Sequence, residues 1–282
     1  MKVLPFQIPK PENHALFYQE DKALIFYDKF HQHDEIQVSY IAEGEGTLVV
    51  GDTINYYKKG DLLSIGSNLP HVFKSDRFAY KNSEMITLFF SRDAFGESFF
   101  NLEDFRELKP FFKKVSYGFK YSSKSDELKH LFIQLHSKSK LQRFLILLEI
   151  LKILSKLKTQ PLSSYIQDKK YTDSEGKRLR DALDYTMRHY HNQISLRDIA
   201  AISAMTKNAF CKYFKKHTNK TYFQFLNELR IEKASKYLLM EEVFTIADVS
   251  EKAGFNNISN FNRQFKNIKK MTPSSYRKKK NL

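Results

Sequence analysis

The residues best fitted for chemistry in this chain occur twice. Ser195-Leu-Arg-Asp-Ile-Ala200 leads into Phe210-Cys-Lys-Tyr-Phe-Lys215, and Thr245-Ile-Ala-Asp-Val-Ser250 leads into Phe261-Asn-Arg-Gln-Phe-Lys266. Self-similarity at a period of about fifty residues marks one supersecondary unit used twice. In the first copy Asn208, Cys211, Lys212 and Lys215 fall at outward positions of a helix that Thr206 would cap. In the second, Asn256, Ser259, Asn260 and Arg263 fall outward, with Asn257 and Lys266 beside them. Amide and cationic side chains on such a face bond base edges or phosphates of nucleic acid. Arg263 is the best single candidate for guanine, whose two acceptors match the guanidinium fork. For one copy alone, a helical bundle with a solvated basic face would explain as much. Two copies with the same outer chemistry argue against that.

These faces need elements to hold them. Ser195 and Thr245 are good N-caps, each opening a short helix: Leu196, Ile199, Ala200 and Ile202 point inward in one, Ile246, Val249 and Ala253 in the other. Ala204-Met205 and Gly254-Phe255 make the turns. The second helices bury Phe210, Tyr213, Phe214 and His217, and Phe261, Phe265 and Ile268. One long helix over 222–239 joins the copies, and an amphipathic helix starting near Lys177 precedes them.

Upstream the pattern is different. Short apolar runs at 23–27, 35–41, 47–50, 53–56, 62–65, 71–73 and 85–90 read as strands, with Gly51-Asp52 as a hairpin loop. Many short strands joined by brief turns suggest a small barrel or jelly roll. Residues 95–112 and 126–137 then read as helices. Leu141 to Leu157 is a helix apolar on more than one face; its surplus face is either buried within the monomer or, as we favour, a homodimer contact. Pro161 to Gly176 is polar and reads as a linker.

The C-terminal motifs resemble a known family. Arg230-Ile-Glu-Lys-Ala234, Leu238-Leu239, Ile246-Ala-Asp-Val249, Gly254-Phe255, Phe261-x-Arg263-x-Phe265-Lys266 and Thr272-Pro273-x-x-Tyr276-Arg277 look like the DNA-binding domain of AraC/XylS-type transcription regulators. The match covers roughly residues 178–278. It implies seven helices and two helix-turn-helix units reading adjacent major-groove segments. The family's glycine after the first recognition helix is Asn219 here, which tolerates left-handed geometry. The later glycine is Lys270, so a different backbone is expected there, and Ser250 replaces the usual alanine.

His31-Gln-His-Asp-Glu-Ile-Gln37, Gly44-x-Gly46, Gly60-Asp61 and Pro70-His71 resemble the two motifs of a cupin barrel, a sensing domain that such regulators often carry. The resemblance matches His31, His33 and His71 to the histidines of metal-binding cupins, with Gln37 at the glutamate position. Three imidazoles suit zinc, iron or nickel, while a glutamine is a weaker ligand than a carboxylate. The commoner role in regulators is the polar lining of an effector pocket, which would then include His31, His33, Gln37, Tyr40 and His71.

Charge agrees with this division. Residues 177–282 hold 22 Lys and Arg against 9 Asp and Glu, a net +13 of the chain's +15, leaving +2 for residues 1–176. A concentrated positive charge favours a polyanion. Cys211 is the only cysteine, which excludes an intrachain disulfide or a thiolate metal cluster. Met1-Lys-Val-Leu-Pro5 lacks the apolar core of a signal peptide, and the expected compartment is the cytoplasm, with no membrane partner.

The expected architecture is α+β and multidomain: a cupin-like β-barrel with a helical dimerisation segment over 1–160, a linker over 161–176 and an all-α domain with two helix-turn-helix units over 177–282. The expected function is an effector-responsive DNA-binding regulator, an activator by resemblance. Its partners would be double-stranded DNA, a small-molecule effector, a second copy and RNA polymerase, and no cofactor is implied. The alternative is a metal-dependent cupin enzyme fused to a nucleic-acid-binding domain.

Overall fold

The computed structural model of the chain describes residues 15–76, 82–122, 126–166, 170–239 and 244–278. Its contacts divide the chain into two units, Met1–Gly176 and Lys177–Leu282.

The first unit is built on two antiparallel sheets. Strands β1 (Leu16–Ala23), β2 (Ile36–Glu43), β5 (Asp61–Ile65), β7 (Ser83–Phe90), β8 (Phe119–Ser122) and β9 (Gln160–Pro161) form one, in the order β1-β7-β2-β5-β8-β9. Strands β3 (Glu45–Val50), β4 (Thr53–Lys58) and β6 (His71–Ser75) form the other, in the order β4-β3-β6. Side chains alternate across a strand, so the larger sheet has two working faces. Ile41, Leu63, Ile65 and Met85 meet Leu48, Val50, Tyr57 and Phe73 of the smaller sheet. On the other face Ile36, Val38, Tyr40, Leu88 and Phe90 meet helices α1 (Lys109–Val115), α2 (Asp126–Ile133) and α3 (Lys140–Lys156). Helix α3 opens with a capping box of Ser139 and Gln142. At its other end Lys114 Nζ donates to the carbonyls of Leu154, Ser155 and Leu157 at 2.8–2.9 Å.

Three expectations change here. Residues 24–27 are not a strand; the strand is β1, and Phe26 enters the core from the bend that follows. β1 is an edge strand, half-exposed, whose apolar start at residues 16–18 gives way to Gln19, Glu20 and Asp21. Residues 95–112 are not one helix but 3-10 turns at Phe99–Asn101 and Glu103–Leu108, followed by α1. Pro110 has no N–H to bond the preceding turn, which suits it to the start of a helix and not its interior. The stretch read as a linker contains the start of α4 (Asp173–His189), and Leu162, Ser163 and Tyr171 within it are buried.

The second unit comprises α4 from Lys177 onward, α5 (Leu196–Ile202), α6 (Lys207–Thr218), α7 (Tyr222–Leu239), α8 (Ile246–Lys252), α9 (Ile258–Lys269) and α10 (Pro273–Lys278). Helix α7 serves both halves. Tyr222 and Phe225 pack on Phe214 of α6, while Ile231, Ala234 and Leu238 pack with Val249 of α8 and Phe261 and Phe265 of α9. Among the described residues no helix is long and apolar enough to cross a membrane.

Candidate nucleic-acid interface and histidine cluster

The pairs α5/α6 and α8/α9 are built alike. Ser195 and Asp198 close a capping box on α5; Thr245 and Asp248 close one on α8. These bonds hold the Asp198 and Asp248 carboxyls below the usual aspartate range. Each short helix then ends in the same turn. Met205 N donates to Ala200 O at 2.9 Å and Ala204 N to Ala201 O at 3.0 Å; Phe255 N donates to Ser250 O at 3.0 Å and Gly254 N to Glu251 O at 2.8 Å. This is the Schellman pattern, and it places Ala204 (φ 51°) and Gly254 (φ 87°) in the left-handed region. One inward assignment fails: Ile202, at the end of α5, is exposed.

Helices α6 and α9 follow, each with its apolar side sealed by two buried phenylalanines, Phe210 and Phe214 in one and Phe261 and Phe265 in the other. Asn208, Cys211, Lys212 and Lys215 are exposed on α6. Ser259, Arg263 and Lys266 are exposed on α9, with Asn256 in the turn before it. Lys216 and Asn267 share these exposed faces; counting helical positions beyond the quoted motifs would have found them. Four expected readers have local bonds. The Thr206 hydroxyl accepts from Ala209 N at 3.3 Å, and Asn257 Oδ1 accepts from Ser259 N at 2.8 Å and Asn260 N at 3.1 Å, so both residues act as N-caps. Half-buried Asn260 accepts at Oδ1 from Arg263 Nη2 at 2.9 Å, which steadies the guanidinium. The αL end of α6 at Asn219 (φ 52°) has its counterpart at Lys270 (φ 59°). The different backbone expected at Lys270 is therefore not found: the helix end imposes the conformation on a residue that does not favour it.

The second pair is tied to the chain that precedes the first. Buried Arg230 of α7 donates from Nε to Tyr190 O and from Nη2 to Asn192 O, both at 2.8 Å, and lies 5.6 Å from the Phe255 ring. Burial lowers its pKa, and the carbonyls just beyond the α4 C-terminus are the acceptors its charge meets. Gln193 Nε2 donates to Asn256 Oδ1 at 2.6 Å across the same seam.

In the first unit, His31, His33 and His71 are buried, and one ring nitrogen of each lies within 4.8 Å of the others. Nδ1 of each faces a backbone carbonyl: Lys29 O at 2.8 Å, Glu35 O at 2.8 Å and Leu69 O at 2.9 Å. A carbonyl only accepts, so Nδ1 carries a proton in each ring. His33 Nε2 faces the acceptor Gln37 Oε1 at 3.1 Å, Gln37 Nε2 donates to Ser39 Oγ at 2.9 Å, and Ser39 Oγ lies 2.8 Å from Thr87 Oγ1. Ser39 and Thr87 carry no signal in the sequence; the strand pairing brings them in. Tyr40 is a correction. It follows Ser39 on β2, so it faces the helices and stacks on Phe132 at 5.8 Å, away from the histidines.

Comparison with known proteins accounts for both units. Residues 15–152 match the model of the AraC-like ligand binding domain, and residues 199–279 match a helix-turn-helix domain. Over 101 residues the chain is 36% identical to the uncharacterized HTH-type transcriptional regulator YdeC of Bacillus subtilis, covering 36% of this chain and 34% of that one. It is 32% identical over 116 residues to YobQ of the same organism, covering 41% of this chain and 46% of the relative. Both relatives are thus spanned over less than half of their length. The Msm operon regulatory protein of Streptococcus mutans is 23% identical over 248 residues, 87% of this chain and 84% of that one. The matched domains and the relatives' names are those of transcription regulators, which favours that reading over the fused enzyme. With an AraC-like ligand-binding domain followed by a helix-turn-helix domain, the chain has the two-domain arrangement of AraC-type transcription regulators.

Proposed function

We propose that the chain is a sequence-specific DNA-binding regulator in which α5/α6 and α8/α9 are two helix-turn-helix readers. The observation that carries this is the pair of twelve-residue helices α6 and α9, each preceded by the same turn, each opened by a side-chain cap and each exposing amide and cationic side chains opposite two buried phenylalanines. Mapping bound sites on the host genome tests it. The expected motif has two conserved blocks about one helical turn, roughly 10 bp, apart. A single block, or binding without a motif, would refute two readers.

The first unit is the sensor in this reading, with a small-molecule effector held near His31, His33, Gln37 and His71. By linkage, an effector that favours the DNA-competent state binds tighter when DNA is present. Helix α3 leaves Leu141 and Leu145 exposed on one side, which suits the contact of a homodimer. Sedimentation of Leu145→Glu checks that contact, with a shift to monomer expected. Activation through RNA polymerase is the output the family implies.

A second reading concerns the effector alone. Three imidazoles whose Nδ1 groups are anchored on carbonyls have the outer-shell arrangement of metal-ligating histidines. A transition-metal ion would then be the effector, held by His31, His33 and His71 with Gln37 as a weak fourth donor. Elemental analysis of purified protein separates the readings: stoichiometric metal lost in His31→Ala/His71→Ala supports the ion, and metal-free protein supports an organic effector.

A further inference from the structure

Asp52 closes the β3–β4 hairpin and is buried, an unusual place for an aspartate, since only Gly51 (φ 54°) meets the special backbone demand of this turn. Its carboxylate accepts from Ser164 N at 2.9 Å, from Ser163 Oγ at 3.2 Å and from Ser164 Oγ. All of these donors lie on the segment that follows α3 and leads towards the second unit. The same hairpin holds that segment at the preceding residue. The Thr53 hydroxyl and the Asn55 amide, the latter at 3.1 Å, donate to Leu162 O. Leu162 N donates to Gly118 O at 3.0 Å, and its side chain is buried in the core between the sheets. The fit is close: a Cβ added to Gly51 would lie 2.7 Å from Ser163 Oγ. Further along, Lys170 Nζ lies 2.6 Å from the Asp34 carboxylate, on the loop that carries His33.

We propose that residues 162–166 form a strap clasped to the rest of the first unit by Asp52, and that the clasp sets the free length of the connection to the second unit. Hydrogen bonds to a carboxylate are roughly twice as strong as neutral ones, so Asp52 is the main anchor. The exposed Lys170–Asp34 pair contributes little by itself. An open strap adds up to about 17 Å of reach, at about 3.3 Å per residue, and a longer tether lowers the effective concentration of the tethered unit. The clasp is thus a place where the first unit controls how far the second can travel, and it stands whether or not the second unit reads DNA.

The test uses the full chain with Asp52→Ala, and with Ser163→Ala/Ser164→Ala, which leaves the hairpin untouched. Amide hydrogen exchange is expected to quicken at least about tenfold at Leu162, Ser164 and Tyr165, with β3 and β4 unchanged. Spin labels on the native Cys211 and on Lys58→Cys should give a broader distance distribution in both variants. Unchanged exchange and unchanged distances in both would overturn the clasp. So would a loss of protection in β3 and β4 that keeps step with the strap, because Asp52 would then be an ordinary brace of the core.

Discussion

The turn between α5 and α6 and the turn between α8 and α9 have the same hydrogen bonds and the same left-handed residue, yet one residue is Ala204 and the other Gly254. Ala204 is exposed, whereas a Cβ on Gly254 would lie 2.5 Å from Tyr190 O and 3.0 Å from Arg230 Nε. The left-handed conformation is therefore not what demands glycine in the second pair. An alanine pays a backbone penalty of about 1–2 kcal/mol there and survives in the first pair. What excludes a side chain from the second is the chain lying over it: the end of α4 and the arginine that binds it.

The comparison breaks most readily at that turn. Gly254→Ala combines the backbone penalty with a contact against main chain that cannot swing away, and is expected to destabilise the second unit by about 3 kcal/mol. Denaturant unfolding followed by helical signal measures it. A loss under about 1 kcal/mol would mean that the seam of Tyr190, Arg230 and Gly254 is looser than the bonds at 2.8 Å imply.

The reading faces differ as well. Arg263 has its guanidinium steadied by Asn260, while α6 offers Lys212 beside the small, neutral Cys211. Arg263→Ala should cost about 1–3 kcal/mol in DNA binding and relax preference at one base position, and Lys212→Ala should relax preference less. Selection of bound sequences from a random pool reads both. Equal relaxation would make the two helices equal readers; an unchanged motif after Arg263→Ala would remove the proposed orientation of α9.

Lys215 and Lys266 occupy the same place in the two copies, both exposed late on their helices. Lys215→Ala is expected to weaken binding to all sequences alike and to reduce the salt slope by about one unit. A loss confined to one DNA sequence would turn it into a base reader and narrow the difference between the pairs.

The parts of this unit that were legible in the sequence were those set by local rules. Ser195 with Asp198 and Thr245 with Asp248 announce their helices, and the spacing of Phe210 and Phe214, or Phe261 and Phe265, fixes the buried side. What a residue meets across the fold was not legible. Lys270 reads as a departure from glycine, but the helix end holds it in the same conformation as Asn219. Tyr40 reads as a pocket residue, but the phase of β2 sends it to the helix layer, and only the sheet order shows which face is which. The aromatic spacing over 95–112 imitates a helix, while Phe95, Phe99 and Phe100 instead build a ring cluster that Phe144 joins at 4.5 Å from Phe95. The histidines share this division: their types were visible, but the carbonyls that orient them come from Lys29, Glu35 and Leu69, whose side chains say nothing.

Ala204→Gly probes the same turn from the other side and is a smaller effect. Relief of the left-handed penalty is partly offset by the greater freedom of glycine in the unfolded chain, leaving a gain of about 0.5–1 kcal/mol. A destabilised Ala204→Gly would show that the methyl group makes a contact worth more than the strain, and would weaken the contrast with Gly254.

The smallest effect is expected where the pairs agree. Asp198 accepts from Ser195 N and Oγ, and Asp248 from Thr245 N and Oγ, at 2.7–3.1 Å. In each, the side-chain bond leads and the backbone bond follows in lowering the carboxyl pKa. A carboxyl depressed in the folded state binds its proton more weakly there than in the unfolded chain. Its contribution is therefore complete above the unfolded aspartate range and is lost as pH falls through the depressed folded value. Both short helices should then begin to fray at their N-termini over the same acidic interval, while both are indifferent to pH near neutrality. Carboxyl carbon shifts of Asp198 and Asp248, followed by NMR from neutral to acid pH, should give two midpoints below that of an ordinary aspartate and close to each other. A normal midpoint at one of them would mean that its capping box is not closed in solution, and the likeness of the two pairs would end at the first residue of each.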